Sequence, residues 1–283
     1  MKTFDIKRKS ITYQGRELIL ETGRMARQAN GSVYISYGET SMLVTATASK
    51  EAREGSDFLP LTVDFIEKMY ASGKIPGGFF KREAKPSTDA TLNARLIDRA
   101  IRPLFPEGFR NEVQVIVTVL SYDGKTDPAN IGILGASVAL AISDIPFNGP
   151  LAGVSVGLVD DELVINPTTE QLLTTHLELD IAGTEKSLVM LEAGAQEISE
   201  AQLKEAIFFG HDAIRELIKF QNEFVAGIAK PKMEVVLDLV PDDITGRIDK
   251  EFSQLIGKDA NILGKQERND AFDLRQKEML ERY

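Results

Sequence analysis

The fold is decided by residues 113–142, whose sequence is VQVIVTVLSYDGKTDPANIGILGASVALAI. The β-branched residues of Val113–Ser121 predict a strand, and Asp123-Gly124 is a turn signal. Pro128 is favourable at the start of a helix, and the apolar run to about Ile142 is rich in Ala and Gly, which allow close packing. A strand, a turn and a closely packed helix in this order indicate a mixed α+β protein.

Upstream of this stretch, short β-branched or alternating segments are separated by glycines, as strands are separated by turns. The strands predicted there are Ile11–Tyr13, Arg16–Glu21, Val33–Tyr37, Met42–Ala48 and Leu61–Phe65. The segment Tyr70–Pro86 is rich in Gly and Pro and predicts a mobile loop. A helix follows, with Ser87 or Thr88 as its N-cap and its end near Pro103.

Downstream, a second lobe begins near Gly149. Its predicted strands are Ala152–Leu158, Leu163–Ile165, Leu177–Ile181 and Ser187–Glu192. Ser199 and Gln202 form a capping box for a long helix that runs to about Ile228. We therefore expect two lobes of strands and helices, at 1–145 and 146–229.

The rest of the sequence predicts a linker and a helical segment. Residues 230–241 contain two prolines, and 18 of the 42 residues that follow are charged. The apolar stripe of that last part is Ile248, Phe252, Leu255 and Ile256. Because this stripe is too small to form a core alone, we expect 242–283 to be a truncated helical domain; a frayed natural C-terminus is the alternative.

Composition excludes several classes of protein. No apolar run approaches the length of about 20 residues that a membrane span needs. The absence of cysteine excludes disulfides and thiolate metal sites and fits a cytoplasmic location. With only His176 and His211, a histidine-based metal or acid–base centre is not expected.

Charge is distributed unevenly along the chain, whose net charge is -10. Residues 1–110 carry 18 Lys and Arg against 13 Asp and Glu, whereas residues 111–283 carry 15 against 30. Like-charge repulsion would therefore direct a polyanion towards the first part of the chain.

The most informative motif is Gly77-Gly78-Phe79-Phe80-Lys81-Arg82-Glu83, on the predicted loop. Two adjacent phenylalanines followed by two cations suit single-stranded nucleic acid, because rings stack on bases while Lys and Arg neutralise phosphates. The alternative is that Phe79 and Phe80 plug the loop onto its own domain.

The helix after the loop carries Arg95, Arg99 and Arg102, which share one face because they are spaced i, i+4 and i+7. Leu92, Leu96 and Ala100 form a neighbouring stripe that is expected to seat the helix on the core. The arginines either face an anionic chain or form ion pairs with other elements, and Asp98 is the nearest acid on the helix.

Three segments resemble bacterial polynucleotide phosphorylases, and the similarity extends over essentially the whole chain. They are Glu21–Ala29 (ETGRMARQA), Gly78–Glu83 (GFFKRE) and Arg95–Phe109 (RLIDRAIRPLFPEGF). The resemblance implies a ribonuclease-PH-like core, followed by the start of a helical domain that joins it to a second core copy and to KH and S1 modules. In that family, Phe79, Phe80, Lys81 and Arg82 match a loop that grips RNA, although Arg is common where Lys81 stands. Arg95, Arg99 and Arg102 match basic positions near the RNA path.

The resemblance also implies partners and cofactors. Members form ring-shaped homotrimers, associate with other RNA-decay proteins, and degrade single-stranded RNA with inorganic phosphate to nucleoside diphosphates. They need Mg²⁺ or Mn²⁺, which we expect to be bound outside this chain.

The catalytic residues of the active core copy do not carry over. A serine-rich phosphate-binding segment precedes its Gly-Ala-Ser helix, whereas Asp127-Pro128-Ala129-Asn130 stands here. An Asp-x-Lys pair precedes its Ala-Gly-Ser or Ala-Gly-Thr turn, whereas Glu178-Leu179-Asp180 stands here and places an acid where the lysine belongs. Because a further negative charge repels phosphate, we expect no catalytic or metal-binding residue in this copy.

Three hypotheses follow. In the first, the chain is part of a phosphorolytic 3′-to-5′ exoribonuclease of mRNA degradation, and this core copy binds and guides RNA. The second is a non-catalytic RNA-binding subunit of an exosome-like ring. The third is a small-molecule enzyme with a phosphate site.

Overall fold

The computed structural model describes residues 4–79, 81–83 and 85–282. The strands in those residues are β1 Lys7–Tyr13, β2 Arg16–Thr22, β3 Gly31–Tyr37, β4 Thr40–Ala52, β5 Leu61–Glu67, β6 Asn111–Ser121, β7 Ala152–Val159, β8 Glu162–Ile165, β9 Leu177–Gly183 and β10 Leu188–Ala195. The helices are α1 Thr88–Ile101, α2 Pro128–Ile142, α3 Thr169–Leu172, α4 Glu200–Val225, α5 Asp242–Ala260 and α6 Lys265–Arg282. Every predicted strand and long helix is present, and the predicted α+β class is confirmed. The short helix α3 was not predicted.

Two sheets lie in the part of the chain up to Leu237. The first has the order β1-β2-β3-β4-β6-β5 and the second β10-β9-β7-β8. All pairings are antiparallel except β5 with β6, where Leu61 lies opposite Val113 and Glu67 opposite Val119. Because parallel strands need a crossover, α1 and the loop before it connect the carboxyl end of β5 to the start of β6.

Helix α2 packs against both sheets. It contacts β3 and β4 of the first sheet and β7 of the second, and 13 of its 15 residues are buried. Close approach depends on glycines: a Cβ on Gly135 would lie 2.6 Å from Val44 Cγ2, and one on Gly31 would lie against the Ala139 carbonyl oxygen. The two predicted lobes therefore each contain one sheet but share a single hydrophobic core.

The chain divides into two compact units, with the boundary between Leu237 and Asp238 inside the predicted linker. In the second unit, α5 and α6 have one fully buried apolar side chain, Phe252. An ion pair joins the helices, because Arg275 Nε donates to Asp259 Oδ2 at 2.8 Å. Among the described residues, none of the helices has both the length and the hydrophobicity of a membrane span.

Candidate nucleic-acid interface

The loop between β5 and α1 presents its central residues to solvent. It begins with a 3-10 turn at Met69–Ser72, which Gly73 ends in the left-handed conformation. Phe79 is 93% exposed and is therefore not buried against the rest of the chain, and Ile75 is 87% exposed. Lys81 and Arg82 are exposed as well. The predicted site residue Phe80 lies outside the described residues.

The ends of this loop are tied together by two carboxylates. Glu83 accepts hydrogen bonds from Lys68 Nζ at 2.9 Å and from the Met69 backbone N–H at 3.0 Å. Glu67, at the end of β5, accepts from the Ser87 hydroxyl at 2.9 Å, and Ser87 also caps α1 by accepting from the Ala90 N–H. The loop predicted to be mobile thus has a closed stem.

The three predicted arginines of α1 have different surroundings. Arg102 donates to both carboxylate oxygens of Asp98, at 2.6 and 2.9 Å, and to the Leu59 and Leu61 carbonyl oxygens, at 3.2 and 3.1 Å. Arg99 forms an exposed ion pair with Glu192 of β10 at 2.5 Å. Arg95 is exposed and has no ion pair within the described residues.

The stripe that seats α1 agrees with the predicted one at Ala100, which is buried, and at Leu96, which packs against the core, but not at Leu92. Its buried residues are Ala90, Ile97, Ala100 and Ile101, while Leu92 is 54% exposed. The prediction of Leu92 as a core residue was wrong because the helix turns its Ile97 and Ile101 side towards β5 and α2. Leu92 instead lines a groove.

A hydrogen-bond network that involves Asn130, Ser155 and Asp180 occupies the start of α2. Asn130 Nδ2 donates to Ser155 Oγ at 2.8 Å and to Asp180 Oδ1 at 2.9 Å. Ser155 Oγ also donates to Asp180 Oδ1, at 2.5 Å. Asp180 is thus held by two neutral donors.

The surroundings of Asp127, the N-cap of α2, are electrostatically negative. Its carboxylate accepts from the Ala129 N–H at 2.9 Å. Burial, together with repulsion by Asp180 and Glu178, raises the pKa of Asp127 to about 6. The neighbouring acids Asp180 and Glu178 thus make this region unfavourable for a further negative charge.

An open groove of about 1090 Å³ connects the loop stem to this negative region. Lys68, Lys74 and Lys85 line its loop side together with the acids Glu67, Glu83 and Asp89, and Asp127 and Glu178 line its far side. The far side of the groove is therefore acidic, whereas charges of both signs are present at the predicted RNA-binding loop. Among the described residues, no group of three His, Cys, Asp or Glu side chains is placed to hold a metal ion.

Sequence reasoning missed the residues that shape the loop. Glu83 ends the predicted motif, but the sequence pattern assigns it no partner and does not connect Glu67, Lys68 or Ser87 with it. Ile75 is an exposed apolar side chain inside the loop. Opposite charges on the flanks of a Gly-rich segment were the only available signal, and they do not specify which pairs form.

Known proteins match this chain over most of its length. The model of the 3′ exoribonuclease family, domain 1, matches residues 14–146, and that of domain 2 matches residues 149–213. The polyribonucleotide nucleotidyltransferase of Streptococcus gordonii is 57% identical over 236 residues, which are 83% of this chain and 32% of the relative. That of Syntrophomonas wolfei is 48% identical over 278 residues, which are 98% of this chain and 40% of the relative. The chain thus spans between about a third and two fifths of these relatives.

A solved structure shows the same fold. The crystal structure of rice Rrp46 superimposes with a TM-score of 0.58 at 13% identity, over 77% of this chain and 94% of that one. At this identity the likeness concerns the fold alone.

Proposed function

The chain belongs to the 3′ exoribonuclease family, and from that membership we propose that it is the RNA-holding part of a phosphate-dependent 3′-to-5′ exoribonuclease. The predicted ribonuclease-PH-like core and the resemblance to polynucleotide phosphorylases are both confirmed by these matches. Because the chain spans only part of its relatives, the activity of the whole protein belongs to the proposal. Its substrate is single-stranded RNA of mRNA degradation, its co-substrate is inorganic phosphate, and its products are nucleoside diphosphates.

The observation that carries this proposal is the exposed ring of Phe79 beside two exposed cations on a loop with a closed stem. A phenyl ring that is 93% exposed keeps most of its surface available, and such a ring stacks on a base of any identity. Lys81 and Arg82 neutralise phosphates of the same strand, and we include Phe80 as the second ring. Of the arginines on α1, Arg95 has a guanidinium free of ion pairs within the described residues, and Arg99 needs to release only an exposed pair with Glu192.

The contribution of this copy is binding and guidance rather than bond cleavage. Asp180 stands where a lysine would attract phosphate, and Asn130 stands where serines would donate to it. The acidic surroundings of Asp127 repel both phosphate and a phosphodiester. From the family resemblance, we propose that Mg²⁺ or Mn²⁺ binds elsewhere in the whole protein.

The assembly is proposed from the family resemblance. A homotrimer places three copies of the loop around one passage, where RNA is held by several weak contacts at once. We propose that the protein is cytoplasmic and associates with other RNA-decay proteins. The likeness to rice Rrp46 concerns the fold alone and does not favour the alternative of an exosome-like subunit.

Replacing the rings tests the proposal. We expect Phe79→Ala, alone or with Phe80→Ala, to weaken binding of a fluorescent oligoadenylate about tenfold or more, because each stacked base contributes about 1–3 kcal/mol. The measurement is fluorescence anisotropy at one fixed salt concentration. Phe58→Ala is the matched control, since Phe58 is also an exposed phenylalanine, at 63%, but lies between β4 and β5. An unchanged dissociation constant for the Phe79 variant would contradict the stacking role.

A further inference from the structure

The stem of the RNA-binding loop depends on one side chain that bonds to two groups at once. Glu83 Oε2 accepts from Lys68 Nζ, and Glu83 Oε1 accepts from the backbone N–H of Met69. These contacts join the two ends of the segment that contains Phe79, Lys81 and Arg82. The Ser87–Glu67 hydrogen bond closes the same loop one step further out.

Closing this segment limits the conformations that its tip adopts. A loop whose ends are not joined must lose that freedom when it binds a ligand, which weakens binding. Both contacts of Glu83 are charge-assisted hydrogen bonds, because the acceptor in each is a carboxylate oxygen. Lys68 and Glu83 are about one-third exposed, at 32% and 33%, so solvent reduces the strength of their ion pair.

We propose that Glu83 is a positioning residue that holds the loop closed and so presents Phe79, Lys81 and Arg82 to RNA. This rests on the proposed function of the loop. The hydrogen bond between the two side chains lowers the pKa of Glu83 and raises the pKa of Lys68. Both shifts favour the charged forms of the pair. Glu83 thus remains ionised and Lys68 remains protonated at neutral pH.

Removal of the Glu83 carboxylate is expected to change the affinity for RNA in opposite directions, depending on whether its charge or its position matters. Glu83 is an acid one residue from Arg82, so removing its charge should strengthen RNA binding if charge alone mattered. If Glu83 positions the loop, removing it should weaken binding instead.

The test compares Glu83→Ala, Glu83→Gln and Lys68→Met in the full chain. We expect Glu83→Ala to weaken oligoadenylate binding about three- to tenfold, a hydrogen-bond loss reduced by exposure. Glu83→Gln should weaken binding less, because its amide oxygen still accepts from Met69. Lys68→Met removes the second partner without touching Glu83 and should also weaken binding, although it removes a cation as well. Glu54→Ala, an exposed acid between β4 and β5, is the charge-matched control and should leave binding unchanged.

Hydrogen exchange of the Met69 amide reports the loop stem independently of RNA. We expect faster exchange in Glu83→Ala and near wild-type exchange in Glu83→Gln, because only the alanine variant lacks an acceptor. The proposal is overturned if Phe79→Ala weakens binding but Glu83→Ala leaves it unchanged or strengthens it; the RNA role of the loop then stands. If Phe79→Ala has no effect, the proposed function fails, and the positioning role fails with it even where the Met69 amide exchanges faster.

Discussion

Arg95 lies in α1 and Arg102 is its C-cap, and their guanidinium groups have different surroundings. Arg102 joins the end of the helix to the start of β5 by hydrogen bonds to Asp98 and to the Leu59 and Leu61 carbonyl oxygens. Arg95 extends into solvent. The first arrangement stabilises the fold, whereas the second leaves a cation available for phosphate.

We expect Arg102→Ala to lower the free energy of unfolding by about 1–3 kcal/mol, since it leaves two carbonyl oxygens and Asp98 without this donor. Arg95→Ala should change stability by less than about 0.5 kcal/mol and should weaken RNA binding instead. Urea denaturation and anisotropy on both variants measure the two effects. An equal loss of stability in Arg102→Ala and Arg95→Ala would contradict the assignment of a structural role to Arg102 alone.

Asp127 makes the stability of the protein depend on pH in a direction unusual for a carboxyl. Because its pKa is raised from 3.8 to about 6, the folded protein binds this proton more tightly than the unfolded chain. Its contribution to stability is therefore full below about pH 4 and is lost as pH rises through about 6.

Asp127→Asn removes the free-energy cost of burying a charged carboxylate above pH 6. The amide oxygen of the new side chain can still accept from the Ala129 N–H. We expect the variant to be more stable than the wild type at pH 7 by about 1–3 kcal/mol, and the difference to disappear near pH 4. Thermal unfolding across this range measures it, with the exposed loop acid Asp57→Asn as control. A destabilised variant at pH 7 would show that the charge of Asp127 is stabilised after all.

At the scale of elements, α2 is the part on which both sheets depend. The helix contacts β3 and β4 of one sheet and β7 of the other. An apolar residue is therefore favourable on nearly every side of it, and its sequence lacks a polar face. Close packing leaves no space for extra atoms at its glycines. Asp127 is the N-cap of this helix and Asn130 lies in its first turn, so this packing also sets the positions of both side chains.

We expect Gly135→Ala to destabilise the protein by about 1–3 kcal/mol, because the new methyl would meet Val44 in a filled core. Gly246→Ala is the matched control, since nothing lies within 4 Å of its Cβ position in α5. That change should be neutral or stabilising by up to about 1 kcal/mol, because alanine favours helix. Denaturant midpoints of the Gly135→Ala and Gly246→Ala variants measure the difference. Equal shifts would indicate that the space around the added methyl group does not determine the change in stability.

At the scale of the whole molecule, charge is separated along the chain. The surplus of Lys and Arg in residues 1–110 coincides with the loop and α1, whereas the excess of acids in residues 111–283 includes Asp127, Glu178 and Asp180. If the proposed function holds, we expect a polyanion to be attracted to the loop and repelled from the acids at the start of α2.

We expect the chain by itself to release no nucleoside diphosphates from single-stranded RNA, with or without Mg²⁺, since we propose that Asn130 and Asp180 replace the groups that would bind phosphate. Chromatography of the products after incubation with RNA and inorganic phosphate measures this, and the same mixture without phosphate is the control. Phosphate- and metal-dependent release of nucleoside diphosphates would overturn the proposal that this copy only holds RNA.

The sequence by itself determined the strands, the long helices and the α+β class, because hydrophobic periodicity, caps and glycines are local signals. It also identified the Phe79–Arg82 motif and the acid at position 180. Only the tertiary structure decided which of three similar arginines is held by the fold, that Leu92 is exposed and that Glu83 closes the loop. These outcomes depend on contacts between residues distant in sequence, whose partners local patterns do not specify.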